Sequence, residues 1–223
     1  MFADYLELVA LGLAIAISPI PVAGLLLKLM SPDGFRSTVG MAVGWSAGVG
    51  ASATGLSFLS TLLPAPNVDV AGPTVAVGSL GVGALLVTAG VFQIRGRPAA
   101  DAPPTLPRWM GVLDRLPPLR AAAIGFGYAA FRPKNLIFTA AAGVIIWRSN
   151  PEPASVIISV LIFTAVASST MLAPVLAYGS GSTSVRRSLV RLREWLLLHV
   201  AVITGSTFAL LGVVLVVFGL IQL

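Results

Sequence analysis

Cysteine is absent from this 223-residue chain, which excludes disulfides, thiolate metal sites and a thiol nucleophile. A single histidine excludes a histidine-cluster metal centre. Carboxylates are scarce, with 8 Asp and Glu against 14 Lys and Arg. None lies in the middle of an apolar stretch, so the groups that usually couple transport to protons or sodium are missing. No glycine-rich nucleotide loop is present, which excludes an ATPase, and no Ser, His and Asp arrangement suggests hydrolysis. Charged residues reach only 10%, against about 25% in an ordinary soluble domain. The chain is therefore read as not an enzyme, with no catalytic residue, no metal site and no cofactor.

What is present is apolar. Hydrophobic residues make up 57% of the chain and the mean hydropathy is +0.95. A soluble domain of this size cannot hide that much apolar surface, and disorder requires low hydrophobicity. A polytopic all-α membrane protein remains. Six stretches are long enough to cross the bilayer: Tyr5–Met30, Arg36–Leu63, Pro73–Ile94, Leu119–Trp147, Pro153–Tyr178 and Trp195–Leu223. The first begins with Asp4 and Glu7 rather than a basic segment and is too long for a cleaved signal peptide. Net charge is +6 and the pI about 10.8, yet the basic residues sit in loops between apolar stretches, so nucleic acid is not the expected partner.

Those loops sort by charge. Arg36 with Lys28, then Arg95, Arg97, Arg108, Arg115 and Arg120, then Arg186, Arg187, Arg191 and Arg193 fall on one side of a six-span chain. The other side holds Asp4, Glu7, Asp69, Glu152 and only Arg148. The positive-inside rule places the basic loops in the cytoplasm and both termini outside. The proline-rich stretch Gly96–Pro118 separates two three-span segments, residues 1–95 and 119–223. It reads as a cytoplasmic linker, with a short interfacial piece around Trp109 as the rival reading.

Three spans per segment is odd, so a repeated second segment enters from the opposite side, as in transporters built from inverted repeats. Both segments carry a break at matched depth. Ser18-Pro19-Ile20-Pro21 lies in the first span and Arg132-Pro133-Lys134-Asn135 in the fourth, each roughly 20 Å into its span at 1.5 Å per residue. Proline frees backbone groups that must face protein or a water-filled cavity, and half-helix N-termini attract anions. Arg132 and Lys134 lie deep in the fourth span without an obvious carboxylate partner. An anionic headgroup, carbonyl oxygens or water must neutralise them. Pro19, Pro21 and Pro133 are expected to open the helices, Arg132 and Lys134 to bind a headgroup, and Ser18 and Asn135 to add hydrogen bonds. A short match, Ala51-Ser52-Ala53-Thr54 against Ala167-Ser168-Ser169-Thr170, carries less weight.

Other residues read as structural. Lys28 is expected to snorkel to the cytoplasmic edge, and His199 to be structural or interfacial. Gly40, Gly44, Gly48 and Gly55 form a stripe that suits close helix packing, inside the bundle or in a dimer. Ser46, Ser52, Thr54, Ser168, Ser169 and Thr170 read as packing residues by default, with bonds across helices or a cavity lining as the alternative.

Ser18-Pro19-Ile20-Pro21 with Pro133-Lys134-Asn135-Leu136 resembles the GAP family, the actinobacterial peptidoglycolipid- or sulfolipid-addressing proteins, within the LysE exporter superfamily. The resemblance covers the whole chain, including its length, six spans and basic linker. The wider superfamily commonly carries Pro-Gly-Pro and Asn-Pro-Lys, where this chain has Ile20 and Arg132. Those departures set it apart from a plain amino-acid exporter and fit a larger or anionic cargo. The resemblance implies a transporter or translocation accessory for a cell-envelope glycolipid, in the bacterial inner membrane. The expected partners are the membrane, an amphipathic lipid substrate, a second copy of the chain and a larger lipid exporter. Two other readings stand beside it: a LysE-like exporter of small polar solutes, and a non-transporting scaffold for a larger lipid exporter.

Overall fold

The computed structural model describes residues 2–31, 34–62, 73–96, 116–149 and 152–221. Among these residues there are eight α-helices and no strand. They are α1 (Phe2–Ala16), α2 (Pro19–Leu29), α3 (Gly34–Leu62), α4 (Pro73–Arg95), α5 (Pro118–Phe131), α6 (Pro133–Ser149), α7 (Pro153–Gly179) and α8 (Thr183–Ile221). Most of the Gly96–Pro118 linker, with Trp109 and three of its arginines, lies outside the described residues.

Both interrupted spans are interrupted where the prolines stand. The first becomes α1 and α2, bent by 60°, and the fourth becomes α5 and α6. The expectation of six spans is met only in part. Three helices are each long and apolar enough to cross a membrane, Ala76–Arg95, Pro153–Gly179 and Thr183–Ile221, and the bent pair makes a fourth. The 29-residue α3 is long enough at 1.5 Å per residue, but six glycines and eight serines or threonines dilute its hydropathy. The two parts of the fourth stretch are only 14 and 17 residues long.

The chain forms two compact units, each drawing helices from both segments. The first comprises Met1–Pro64 and Leu106–Arg193, the second Ala65–Thr105 and Glu194–Leu223. In the first unit α3 packs on α5, α6 and α7, and α1 packs on α7. Glycine permits the closest of these contacts, because a Cβ at Gly44 would collide with the Ala122 carbonyl. Gly40 meets Pro118 and Gly48 meets Phe126 in the same way, so α3 and α5 run parallel. The expected glycine stripe is thus an internal contact through Gly40, Gly44 and Gly48, while Gly55 meets open space. A second parallel pair is α1 with α7, where Gly12 faces Val166 and Ala16 faces Thr170.

Trp45, Val49, Ala53 and Ser57 line the buried face of α3, and Ser159, Phe163, Ala167 and Met171 that of α7. The corresponding members are 114 positions apart, the separation of Pro19 and Pro133. Ala53, rather than Ala51, is the buried counterpart of Ala167, so the Ala51–Thr54 match lies out of this register.

The second unit pairs α4 with residues 194–221 of α8. Gly83 lies against Gly212, Gly90 against Gly205 and Gly219 against Ala76, so the two run antiparallel with backbones in close approach. Large side chains such as Phe92 and Leu210 are exposed there, as are Phe131 and Leu176 in the first unit. Apolar surface on that scale is at home in hydrocarbon.

Candidate functional site

The residue before a proline is pushed out of the helical region. Ser18 (φ −135°, ψ 87°) and Arg132 (φ −70°, ψ 127°) both obey. At the first break the carbonyls of Ile15, Ala16 and Ile17 find other donors. The Ile17 N–H donates to Leu13 O at 2.9 Å, and the Ser18 N–H to Ala16 O at 2.8 Å. The Ser18 hydroxyl donates back to Ile15 O at 2.9 Å. Thr170, arriving on α7, donates to Ala16 O at 2.8 Å. Four residues beyond it Pro174 stands inside α7, so the Thr170 carbonyl also lacks its usual helical donor. Finally, Lys134 Nζ donates to Ile17 O at 2.8 Å and to Ser18 Oγ at 3.1 Å.

The two breaks therefore meet, and Lys134 is the link. Of the expected site residues, the structure brings Ser18 and Lys134 into direct contact. Pro19 and Pro21 hold the first and third positions of α2, leaving Ile20 as the one N–H among those three. At this break a carbonyl and a hydroxyl take the Lys134 cation. Of the answers open to a cation at this depth, carbonyl oxygen is the one the structure gives Lys134.

At the second break, Pro133 starts α6 and the Leu136 N–H returns to Arg132 O at 3.0 Å. Asn135, only 1% exposed, donates through Nδ2 to Ala129 O at 3.1 Å, near the end of α5. That carbonyl fixes the amide orientation, since a flipped amide would set oxygen against oxygen. Asn135 Oδ1 is left buried without a partner.

Arg132 is placed by its own helix. Its guanidinium carbon lies 5.2 Å from the ring centroid of Tyr128, one turn earlier on α5. Nη1 is buried and has no hydrogen-bond partner. Trp45 of α3 borders the same ring at 6.1 Å. It is 1% exposed, and its Nε1 is likewise unpartnered. Two buried N–H donors without acceptors thus flank Tyr128, each costing about 1–3 kcal/mol if left so. No carboxylate lies between Asp114 and Glu152, so none close to Arg132 in the sequence answers these donors. An anionic oxygen, which only accepts, fits such a site.

Tyr128 and Trp45 enter the site although the sequence reading did not place them there, and Thr170 takes the cross-helix bond that was the alternative to its packing reading. Tyr128 was detectable as an aromatic four residues before a membrane arginine. Trp45 carries no local signal, because a buried tryptophan on an apolar helix reads as core. Lys28 is also corrected: it is 4% exposed, in the last turn of α2, rather than snorkelling. His199 accepts its structural reading, stacked on Trp195 at 4.7 Å with Nδ1 2.8 Å from the Trp195 carbonyl. No group of three or more metal-ligating side chains occurs among the described residues.

The model of the sulfolipid-1-addressing protein (Sap) family matches residues 8–221. The chain belongs to this family. No curated protein and no solved structure matches it. The apolar helices identify a membrane protein. The match runs through both breaks, from Leu8 at the buried face of α1 to the end of α8.

Proposed function

We propose that this protein binds the anionic headgroup of an amphipathic glycolipid beside the meeting point of its two helix breaks and assists that lipid across or out of the bacterial inner membrane. The observation that carries the reading is the buried, unpartnered Nη1 of Arg132, set over Tyr128 in a segment devoid of carboxylates. A sulfate ester supplies oxygen acceptors, keeps its charge at every physiological pH and has no proton to donate, which suits donors that lack acceptors. Lys134 acts as the clasp between the breaks, and Arg132 is the cation available to cargo. The protein acts by binding and conformational change rather than by covalent chemistry.

An inverted repeat underlies this function. Its support is that exchanging the two segments maps one parallel pair, α3 with α5, onto the other, α7 with α1. The common displacement of 114 positions between breaks and between buried faces agrees. Both termini then lie outside, and the basic helix ends face the cytoplasm. Delivery to a larger lipid exporter and pairing with a second copy are compatible with this role, as is distant kinship with LysE-type exporters.

The test uses purified full-length protein in nanodiscs containing either a sulfated galactosylceramide or the same lipid without sulfate. Binding is expected to favour the sulfated lipid, and Arg132→Gln to reduce that preference at least tenfold. Equal binding of the two lipids, or an Arg132→Gln variant with undiminished preference, removes the proposal.

A further inference from the structure

A second basic site lies away from the helix breaks. The first eleven residues of α8, Thr183–Arg193, hold Arg186, Arg187, Arg191 and Arg193 and no carboxylate. Arg186 lies over Tyr178 at 4.5 Å, and the other face of the same contact set is Phe35, stacked on Tyr178 at 5.8 Å and 25°. This places the start of α8, the end of α7 and the start of α3 together. Arg36, next to Phe35, is exposed, as are Arg186, Arg187 and Arg191. Arg193 has a buried Nε without a partner. The carboxylates nearest in sequence to this set are Asp33 and Glu194.

Clustered arginines raise one another's energy, as Arg187 and Arg191 do at a spacing of four on one helix. They are tolerated where an outside anion answers them. The same segment exposes apolar side chains among the cations, Val190 and Leu192 on α8 and Phe35 on α3. Cations interleaved with half-exposed apolar groups at the end of a membrane-crossing helix suit the headgroup level of a bilayer. We infer that this end of the first unit is a docking site for anionic phospholipid headgroups of the adjoining leaflet, with Arg36, Arg187 and Arg191 contacting phosphate and Arg186 held in place by Tyr178. Arginine suits the task because its planar fork pairs two donors with a phosphate. Zwitterionic lipids carry the same phosphate but offset it with a choline cation, so net headgroup charge decides the preference.

The experiment measures the thermal unfolding of the full chain in neutral detergent during titration with phosphatidylglycerol, phosphatidylcholine or inorganic phosphate. Phosphatidylglycerol is expected to raise the midpoint, while the other two do not. The variant Arg186→Gln with Arg187→Gln and Arg191→Gln is expected to need at least tenfold more phosphatidylglycerol for the same rise. Gly55→Ala, outside both basic sites, should leave this response unchanged, and the triple variant should keep the preference for sulfated over unsulfated lipid that reads the break site, so the two readings fail separately. If the triple variant does not fold, Arg187→Gln with Arg191→Gln, both on exposed positions, is examined by native mass spectrometry for retained phosphatidylglycerol, and a reduced count is expected. An unchanged response in the variants overturns the inference. So does an equal response to phosphatidylcholine, or to inorganic phosphate.

Discussion

Lys134 Nζ stands 2.8 Å from the carbonyl oxygen of Ile17, 117 positions earlier in the chain. The cation of one helix break thereby satisfies the carbonyl freed by the other, and the two breaks hold each other open. Lys134→Met keeps the length and loses the donors. It leaves the Ile17 carbonyl and one acceptor position on Ser18 unmet, at a cost of about 1–3 kcal/mol. A clearly lower unfolding midpoint in detergent is the expected result. An unchanged midpoint would show that the contact contributes nothing to stability.

Thr170 separates the hydroxyl from the packing around it. Thr170→Val removes the bond to the Ala16 carbonyl while keeping shape, and should cost about 1 kcal/mol. Thr170→Ser restores the donor and should recover most of the loss. Parallel denaturation of the three proteins checks this. Loss of equal size in the serine variant would assign the effect to the methyl group instead.

The breaks were legible because proline acts locally. Pro19 and Pro133 each force the residue before them out of the helix, whatever surrounds it. What answers the freed carbonyls was not legible, since Lys134 and Thr170 reach Ile17 and Ala16 across more than a hundred positions. Two cations two residues apart on a helix lie on nearly opposite faces, but the sequence did not say which would do what. Tertiary contacts made one a clasp and left the other with an unmet donor. The same holds for the glycines of α3: their spacing announced a close contact, but only the fold chose α5 as the neighbour and left Gly55 out of it. Hydropathy alone counted α3 as a span because length dominated. Its glycines and hydroxyls keep it out of the helices apolar enough to cross by composition alone, and suit its packing on α5, α6 and α7.

Gly44 and Gly55 lie on the same helix and should respond in opposite directions to alanine. A Cβ at Gly44 runs into the Ala122 backbone, so Gly44→Ala must push α3 and α5 apart, at about 1–3 kcal/mol. Gly55 meets nothing within 4 Å, and Gly55→Ala should be neutral or stabilise by up to about 1 kcal/mol through helix propensity. Thermal unfolding of the pair checks the parallel α3 and α5 contact directly.

The absence of cysteine makes sidedness measurable without background. Glu7→Cys and Ser184→Cys both stand at exposed positions, one near the start of α1 and one at the basic start of α8. In intact cells a membrane-impermeant maleimide should label the first, and the second only after permeabilisation. Carboxylates contribute little to orientation, so replacing Glu7 should not itself invert the chain. The reverse labelling pattern would place the basic ends outside.

Arg132 and Lys134 should divide cleanly between function and stability. Arg132→Gln removes a guanidinium whose Nη1 has no protein partner, so unfolding should change little while preference for a sulfated lipid falls at least tenfold. Arg132→Lys keeps the charge but not the planar fork, and should retain part of that preference. Tyr128→Leu leaves Arg132 intact and removes the ring beneath it. If the ring positions the guanidinium, binding should weaken by about two- to tenfold, matching the roughly 0.5–1 kcal/mol or more of a cation over an aromatic face. Equilibrium binding to nanodiscs, with unfolding measured on the same samples, separates these outcomes. A large stability loss in Arg132→Gln with binding preserved would exchange the roles of the two cations.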